Sequence, residues 1–242
     1  WVGPHQMEEA RAIEKLYDLK PRRLVQVGYG LLDEMTEAWE NTPKAPHEKK
    51  TILVAPSWQK DNIMDSCIDQ LIEQFLRPGV RLIIRPHPQY VRLYGEKIEG
   101  LQSRYKDKLG EDFILQTDFS STDTVYSADL LVTDWSNVGF EFALSTLKPV
   151  LYINTPMKIM NPEYDKIDVV PFDIRIRGQL GGELELSELD RAGDVAQDLL
   201  SRPEEFRETI QAVKEKEIYN LGHGAEAAGR YIVKRLGSRK TQ

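Results

Sequence analysis

The chain has 242 residues, 40% of them hydrophobic and 29% charged, with 32 Lys and Arg against 39 Asp and Glu for a formal net charge of −7. This composition excludes a disordered chain, allows one large domain or two small ones, and argues against a general nucleic-acid binder. Its one cysteine, Cys67, excludes an internal disulfide, and no apolar run reaches the length of a membrane span, so a cytoplasmic setting is the expectation.

The chain starts at Trp1 in an apolar stub ahead of a helix, as if an earlier part of a longer protein preceded it. Glu8–Leu19 reads as that helix and Leu24–Val27 as a short strand. Gly28-Tyr29-Gly30 and a helix over Leu31–Glu40 follow. Gly28-x-Gly30 lacks the third glycine of a dinucleotide fingerprint. Asn41–Lys50, with two prolines, is the best linker candidate. From Thr51 the alternation becomes regular: strand Ile52–Ala55, helix Ile63–Leu76, strand Arg81–Arg85, helix Val91–Lys106, strand Phe113–Gln116 and a short helix over Thr122–Ser127.

The stretch Asp129–Tyr152 organises the rest, with buried strand Leu130–Val132, a polar turn, helix Asn137–Leu147 capped by Ser136, and buried strand Val150–Ile153. A weaker strand is expected near Asp168–Val170, then helices at Ser187–Ser201, Glu204–Glu217 and Ala225–Leu236. Strands alternating with helices imply an α/β fold with a doubly wound parallel sheet. The basic end, Lys234, Arg235, Arg239 and Lys240, reads as a solvated tail.

In an open parallel sheet, ligands bind beyond the carboxyl ends of the strands. Here those ends carry Ser57, Arg85, His87, Thr117-Asp118, Thr133–Asn137 and Asn154-Thr155. The start of the Asn137–Leu147 helix presents free N–H groups and positive dipole, joined by the short polar side chains of Ser136 and Asn137, and so suits a phosphate. The alternative is an ordinary capped helix. His87 stands between two prolines that fix its loop, and Arg85 lies two residues before it. Both side chains are therefore expected on the same side of the strand end, as a pair suited to an anion. His5, His47 and His223 have no comparable context. There is no Asp-x-Asp, His/Cys cluster, GxSxG or P-loop, and no protein-bound metal or cofactor is expected. Asp118, Asp129 and Asp134 could in principle collect Mg²⁺, but two of them flank a buried strand, where Asp is a common strand-end residue.

Three motifs, AP-S-W, R-P-H-P and D-T-V-Y-S-A-D-L-L-V-T-D-W-S-N-V-G-F-E-F followed by K-P-V-L-Y, resemble the carboxyl-terminal half of CDP-glycerol glycerophosphotransferases, the teichoic-acid polymerases and primases of GT-B fold. The resemblance runs from about Gly28 to Tyr164 and returns at Gly224–Arg230. It implies a Rossmann-like carboxyl lobe that holds CDP-glycerol, with His87, Ser136 and Asn137 contacting the pyrophosphate; Ser57, Thr133 and Asp134, collected at the same strand ends, are expected in the donor-phosphate site as well. His87 and Arg85 would serve catalysis by neutralising charge on the phosphoryl oxygens. The chain departs from the family pattern at Gln59, where arginine is usual, at Asn137, where a second serine is usual, and across Arg175–Gly182.

The resemblance further implies that residues 1–41 are a remnant of the amino-terminal lobe or its crossover, and that 42–242 form the donor-binding domain. The acceptor would be a lipid-linked polymer reached from the inner membrane face through the whole protein, with the general base in the other lobe. Alone, this chain is then expected to bind nucleotide and to transfer little. Two alternatives stay open, another GT-B transferase using a CMP-, CDP- or UDP-activated donor and a non-catalytic nucleotide-binding module.

Overall fold

A computed structural model of the protein describes residues 1–43 and 48–239. Residues 44–47, the middle of the expected linker with His47 among them, and residues 240–242, with Lys240, lie outside the described residues. Two helices open the chain, α1 (Pro4–Leu16) and α2 (Gly30–Asn41). The α/β alternation then runs β1 (Lys50–Val54), α3 (Ile63–Ser66), α4 (Ile68–Phe75), β2 (Val80–Ile84), α5 (Pro88–Leu93), α6 (Gly95–Arg104) and β3 (Phe113–Leu115). It continues through α7 (Asp123–Ser127), β4 (Leu130–Thr133), α8 (Val138–Thr146), β5 (Val150–Asn154), α9 (Phe172–Arg175), α10 (Arg177–Leu180) and β6 (Gly181–Glu185). Helices α11 (Ala192–Ser201), α12 (Pro203–Glu217) and α13 (Gly224–Arg239) close the chain.

The six strands form one sheet in the order β3-β2-β1-β4-β5-β6, and every pairing is parallel. Leu130–Val132 lies in its interior, between β1 and β5. Because side chains alternate across a strand, Ile52 and Val54 face one way and Leu53 the other, and the same holds along β2 and β4. Ile52, Val54, Leu82, Leu130 and Val132 therefore pack under α4 and α11, through Leu71, Phe75 and Leu199. Leu53, Ile83, Leu131, Val150 and Tyr152 pack under α8 and α12, through Phe142, Leu144 and Ile210. Apolar residues on both faces explain why these strands read as unbroken hydrophobic runs.

Residues 1–41 complete the second layer. Leu32 of α2 is fully buried in that core, and Tyr29 Oη donates to the Glu141 carboxylate of α8.

Several expected elements differ. Leu24–Val27 joins no ladder, and its end is held by Val27 and Gly28 N–H groups donating to the Trp1 carbonyl at 3.0 and 3.1 Å. Asp168–Val170 is not a strand either; the sixth strand is Gly181–Glu185. Its two glycines and exposed glutamates hide the strand pattern, yet Gly181 is what the pairing needs. A Cβ there would lie 1.9 Å from the Val150 carbonyl oxygen. The expected Ile63–Leu76 helix is interrupted at Cys67, and the Val91–Lys106 helix is two short ones.

Candidate functional site

The strand order reverses between the parallel strands β1 and β4, whose connections run to opposite sides of the sheet, β1 on to β2 and β4 on to β5. The loops after them part there and leave a crevice at their carboxyl ends. Its floor is built around Asp134. This fully buried carboxylate accepts the Ser57 N–H at 2.8 Å and the Trp135 N–H at 2.7 Å on Oδ1, and the Ile63 N–H at 3.1 Å on Oδ2. One side chain thus ties the end of β4 to the loop after β1 and to the start of α3. Thr133 Oγ1 adds a bond to the Ala55 carbonyl at 2.7 Å. Asn62, also fully buried, donates to the Ser57 and Gln59 carbonyls at 3.0 and 2.8 Å and accepts the Met64 N–H.

Ser57, Thr133 and Asp134 were expected among the phosphate contacts, but their side chains are turned into the protein, and two of the three are spent on backbone groups. Ser57 Oγ, the Gln59 carboxamide and Thr155 Oγ1 are buried at this same edge without a protein partner, a concentration that buried polar groups in a finished scaffold rarely show.

The turn above this floor is the exposed part. Ser136 is half-buried and Asn137 exposed at the head of α8, whose start falls at Val138, one residue later than expected. The Ser136 hydroxyl is only loosely engaged, accepting the Val138 N–H at 3.5 Å. That leaves it available to a ligand. Behind the turn, Gly139 sits so close to the sheet that a Cβ would lie 2.7 Å from the Tyr152 ring.

His87 caps α5, with Nδ1 accepting the Gln89 N–H at 3.0 Å, so in the neutral ring the proton sits on Nε2 and is free to donate. Burial and the nearby charge of Lys158 hold its pKa below the usual histidine value. Its ring lies 6.4 Å from that of Trp58, over which Lys158 Nζ sits at 6.0 Å.

Arg85 does not join it. The alternation that would place both on one side ends with β2 at Ile84. Arg85 then turns toward β3, donating to the Ser121 carbonyl and to Thr124 Oγ1 at 3.0 and 3.3 Å, while His87 turns toward β1.

From Trp135 and Asn137 a cleft of about 320 Å³ runs along Met157–Asn161 to Glu9 and Ile13 of α1 and Asp173 of α9. Lys158 stands in this lining, and burial raises the pKa of Glu9 within it. Among the described residues no group of three or more His, Cys, Asp or Glu side chains is placed to hold a metal ion.

Sequence reasoning missed Asn62, Lys158 and, above all, Arg177. Arg177 is 2% exposed, with its guanidinium 3.9 Å from the Trp135 ring centroid and 4.7 Å from that of Tyr152. The one signal was its place in Arg175–Gly182, the stretch that departs from the expected pattern.

The sequence model of the CDP-Glycerol:Poly(glycerophosphate) glycerophosphotransferase family matches residues 5–159, more than half of the chain. The chain belongs to this family. It is 27% identical over 177 residues to the teichoic acid glycerol-phosphate primase of Bacillus subtilis strain 168, covering 69% of this chain and 42% of that protein. The primase of Bacillus spizizenii is likewise 27% identical over 169 residues, covering 66% and 41%. The chain therefore spans less than half the length of the curated relatives it matches. Among solved structures, the wall teichoic acid polymerase TagF with CDPG superposes with a TM-score of 0.55 at 18% identity, over 99% of this chain and 57% of that one. HepE of Anabaena in complex with UDP and glucose superposes with a TM-score of 0.50 at 11% identity, over 88% and 53%. These likenesses show the fold, an α/β lobe of GT-B type.

Proposed function

We propose that this chain is the donor-binding lobe of an enzyme that transfers glycerol phosphate from CDP-glycerol to a hydroxyl of a lipid-linked acceptor in wall teichoic acid synthesis. The observation that carries the reading is the turn Trp135–Asn137. A glycerophosphotransferase family member presents a loosely engaged serine and an exposed asparagine at a helix start, at the point where the strand order reverses. The phosphates of the donor lie against Ser136, Asn137 and the α8 N-terminus, with His87 Nε2–H as a further donor. The rest of the donor extends into the adjoining cleft.

An acceptor oxygen then attacks the glycerol-side phosphorus. Its bond to that phosphorus forms as the phosphoanhydride bond breaks, CMP departs with the bond's electron pair, and the hydroxyl proton passes to a base or to water. The residues here assist by alignment and by donors aimed at the phosphoryl oxygens. Arg85, held by Ser121 and Thr124, contributes positive charge beside the crevice rather than a direct pair with His87. The acceptor and its membrane surface are met by the whole protein at the inner face of the cell membrane. No helix among the described residues is long and apolar enough to cross a membrane.

Calorimetric titration with CDP-glycerol, CMP and UDP-glucose tests the reading. Binding of the cytidine ligands, weakened in both Ser136→Ala and His87→Ala, is expected. Unchanged affinity in both variants would move the site away from this edge, and preference for the uridine ligand would replace the donor.

A further inference from the structure

Among the described residues Arg177 heads the fully buried side chains by size, and burying a guanidinium is costly unless its charge is put to use. Nη2 donates to the Asp134 carbonyl at 3.0 Å and Nη1 to Asn154 Oδ1 at 3.1 Å, and Nε has no partner. Both acceptors are neutral. The Asp134 carboxylate is hydrogen-bonded to three backbone N–H groups and not to Arg177; it, Glu183 and Asp173 act on the guanidinium through space, without direct contact. The flat faces are covered by Trp135 and Tyr152. The two residues it grips from beneath, Asp134 and Trp135, are those that lead into Ser136 and Asn137.

We propose that Arg177 is a positioning residue for the anion turn, and that its positive charge, in direct contact with no carboxylate, supports the anion bound at Ser136 and Asn137. This rests on the reading that phosphate binds at that turn, and adds the source of the site's preference for a diphosphate over an uncharged nucleoside. A guanidinium fits the place because its fork holds two acceptors while its faces stack on two aromatic rings, which an ammonium does not do.

The decisive experiment moves one negative charge without altering the total. Asn154→Asp sets a carboxylate against Nη1. Because Asn154 Nδ2 otherwise donates to Glu185 Oε1 at 2.7 Å, Glu185→Gln accompanies it, keeping the net charge constant. Inorganic pyrophosphate, CDP-glycerol and cytidine are titrated calorimetrically into the full chain, the double variant and Glu185→Gln alone.

Neutralising Arg177 in place is expected to weaken pyrophosphate about tenfold, as for a unit charge several ångströms away at intermediate dielectric, and to leave cytidine unchanged. Pyrophosphate affinity of the double variant within about twofold of the wild-type chain would overturn the proposal and leave Arg177 a structural strut, the Glu185→Gln variant giving the effect of that change by itself. Arg177→Lys should retain more pyrophosphate affinity than Arg177→Met, and equal losses would count against the role of charge. Should Arg177→Met fail to fold, the charge-moving pair still decides. A wild-type chain that binds pyrophosphate but no cytidine nucleotide removes the donor reading alone, since the comparison stands on pyrophosphate. One that binds neither overturns both.

Discussion

Replacing Asp134 by alanine should cost this protein a large part of its stability, and the size follows from what the carboxylate holds. Ser57 and Ile63 are buried, so without Asp134 their N–H groups face neither water nor another acceptor, while the half-buried Trp135 N–H regains solvent at lower cost. A buried donor stripped of its partner costs about 1–3 kcal/mol, so two give about 2–6 and a working value of about 4 kcal/mol. That compares with a total of about 5–15 kcal/mol for a typical domain. Asp134→Asn keeps an acceptor oxygen but turns an NH₂ toward one of the donors, and should lose about 2–3 kcal/mol. Urea unfolding followed by far-UV circular dichroism measures both, with the slope of free energy against urea unchanged if the loss is one of stability alone. A loss below about 1 kcal/mol for Asp134→Ala would show that the three contacts are not holding the loops together, and the description of the crevice floor would fall.

Thr133→Val, which removes only the bond to the Ala55 carbonyl, should cost about 1 kcal/mol in the same assay and leave nucleotide affinity untouched; a loss of affinity would return Thr133 to the binding surface. Ser136→Ala should do the reverse, weakening CDP-glycerol by about 0.5–1.5 kcal/mol, or up to ~3 against a charged oxygen, with little change in unfolding. Gly139→Ala should destabilise by about 1–3 kcal/mol despite alanine's better helix propensity, because Tyr152 is itself buried and cannot retreat; a neutral effect would show slack between α8 and the sheet. His87 should titrate below the ordinary histidine value of 6.5, followed by the NMR shift of its ring proton, and Lys158→Met should raise its midpoint. With the folded pKa depressed, the unfolded chain binds the proton more readily. The contribution to stability is therefore present above 6.5 and lost as pH falls toward the folded pKa, so a His87→Gln variant should show a weaker acid dependence.

The alternation of strand and helix from Thr51 onward was legible because β1, β2, β4 and β5 are covered on both faces, and double coverage leaves continuous apolar runs in the sequence. The turn at Ser136-Asn137 was legible for a related reason, since a polar cluster between two such runs has nowhere to lie but at a strand's carboxyl end. Residue type alone did not say which polar side chains face out. Ser57, Thr133 and Asp134 have the chemistry of phosphate ligands, yet the reversal of strand order brings β1 and β4 side by side, and their loops need tying together across 77 residues of chain. Pairing of Gly181 with Val150 likewise became a strand only through an approach too close for any Cβ, which no periodicity records. Arg177 shows the limit most plainly. Its sequence neighbours mark it as one arginine of a polar stretch, and only the tertiary structure closes Trp135 and Tyr152 over its faces and sets its fork beneath the turn. Local pattern determined where the chain forms strands and helices, because burial on a repeating face leaves a repeating signal. The inside of the site was decided by contacts between residues far apart in the chain, which leave none.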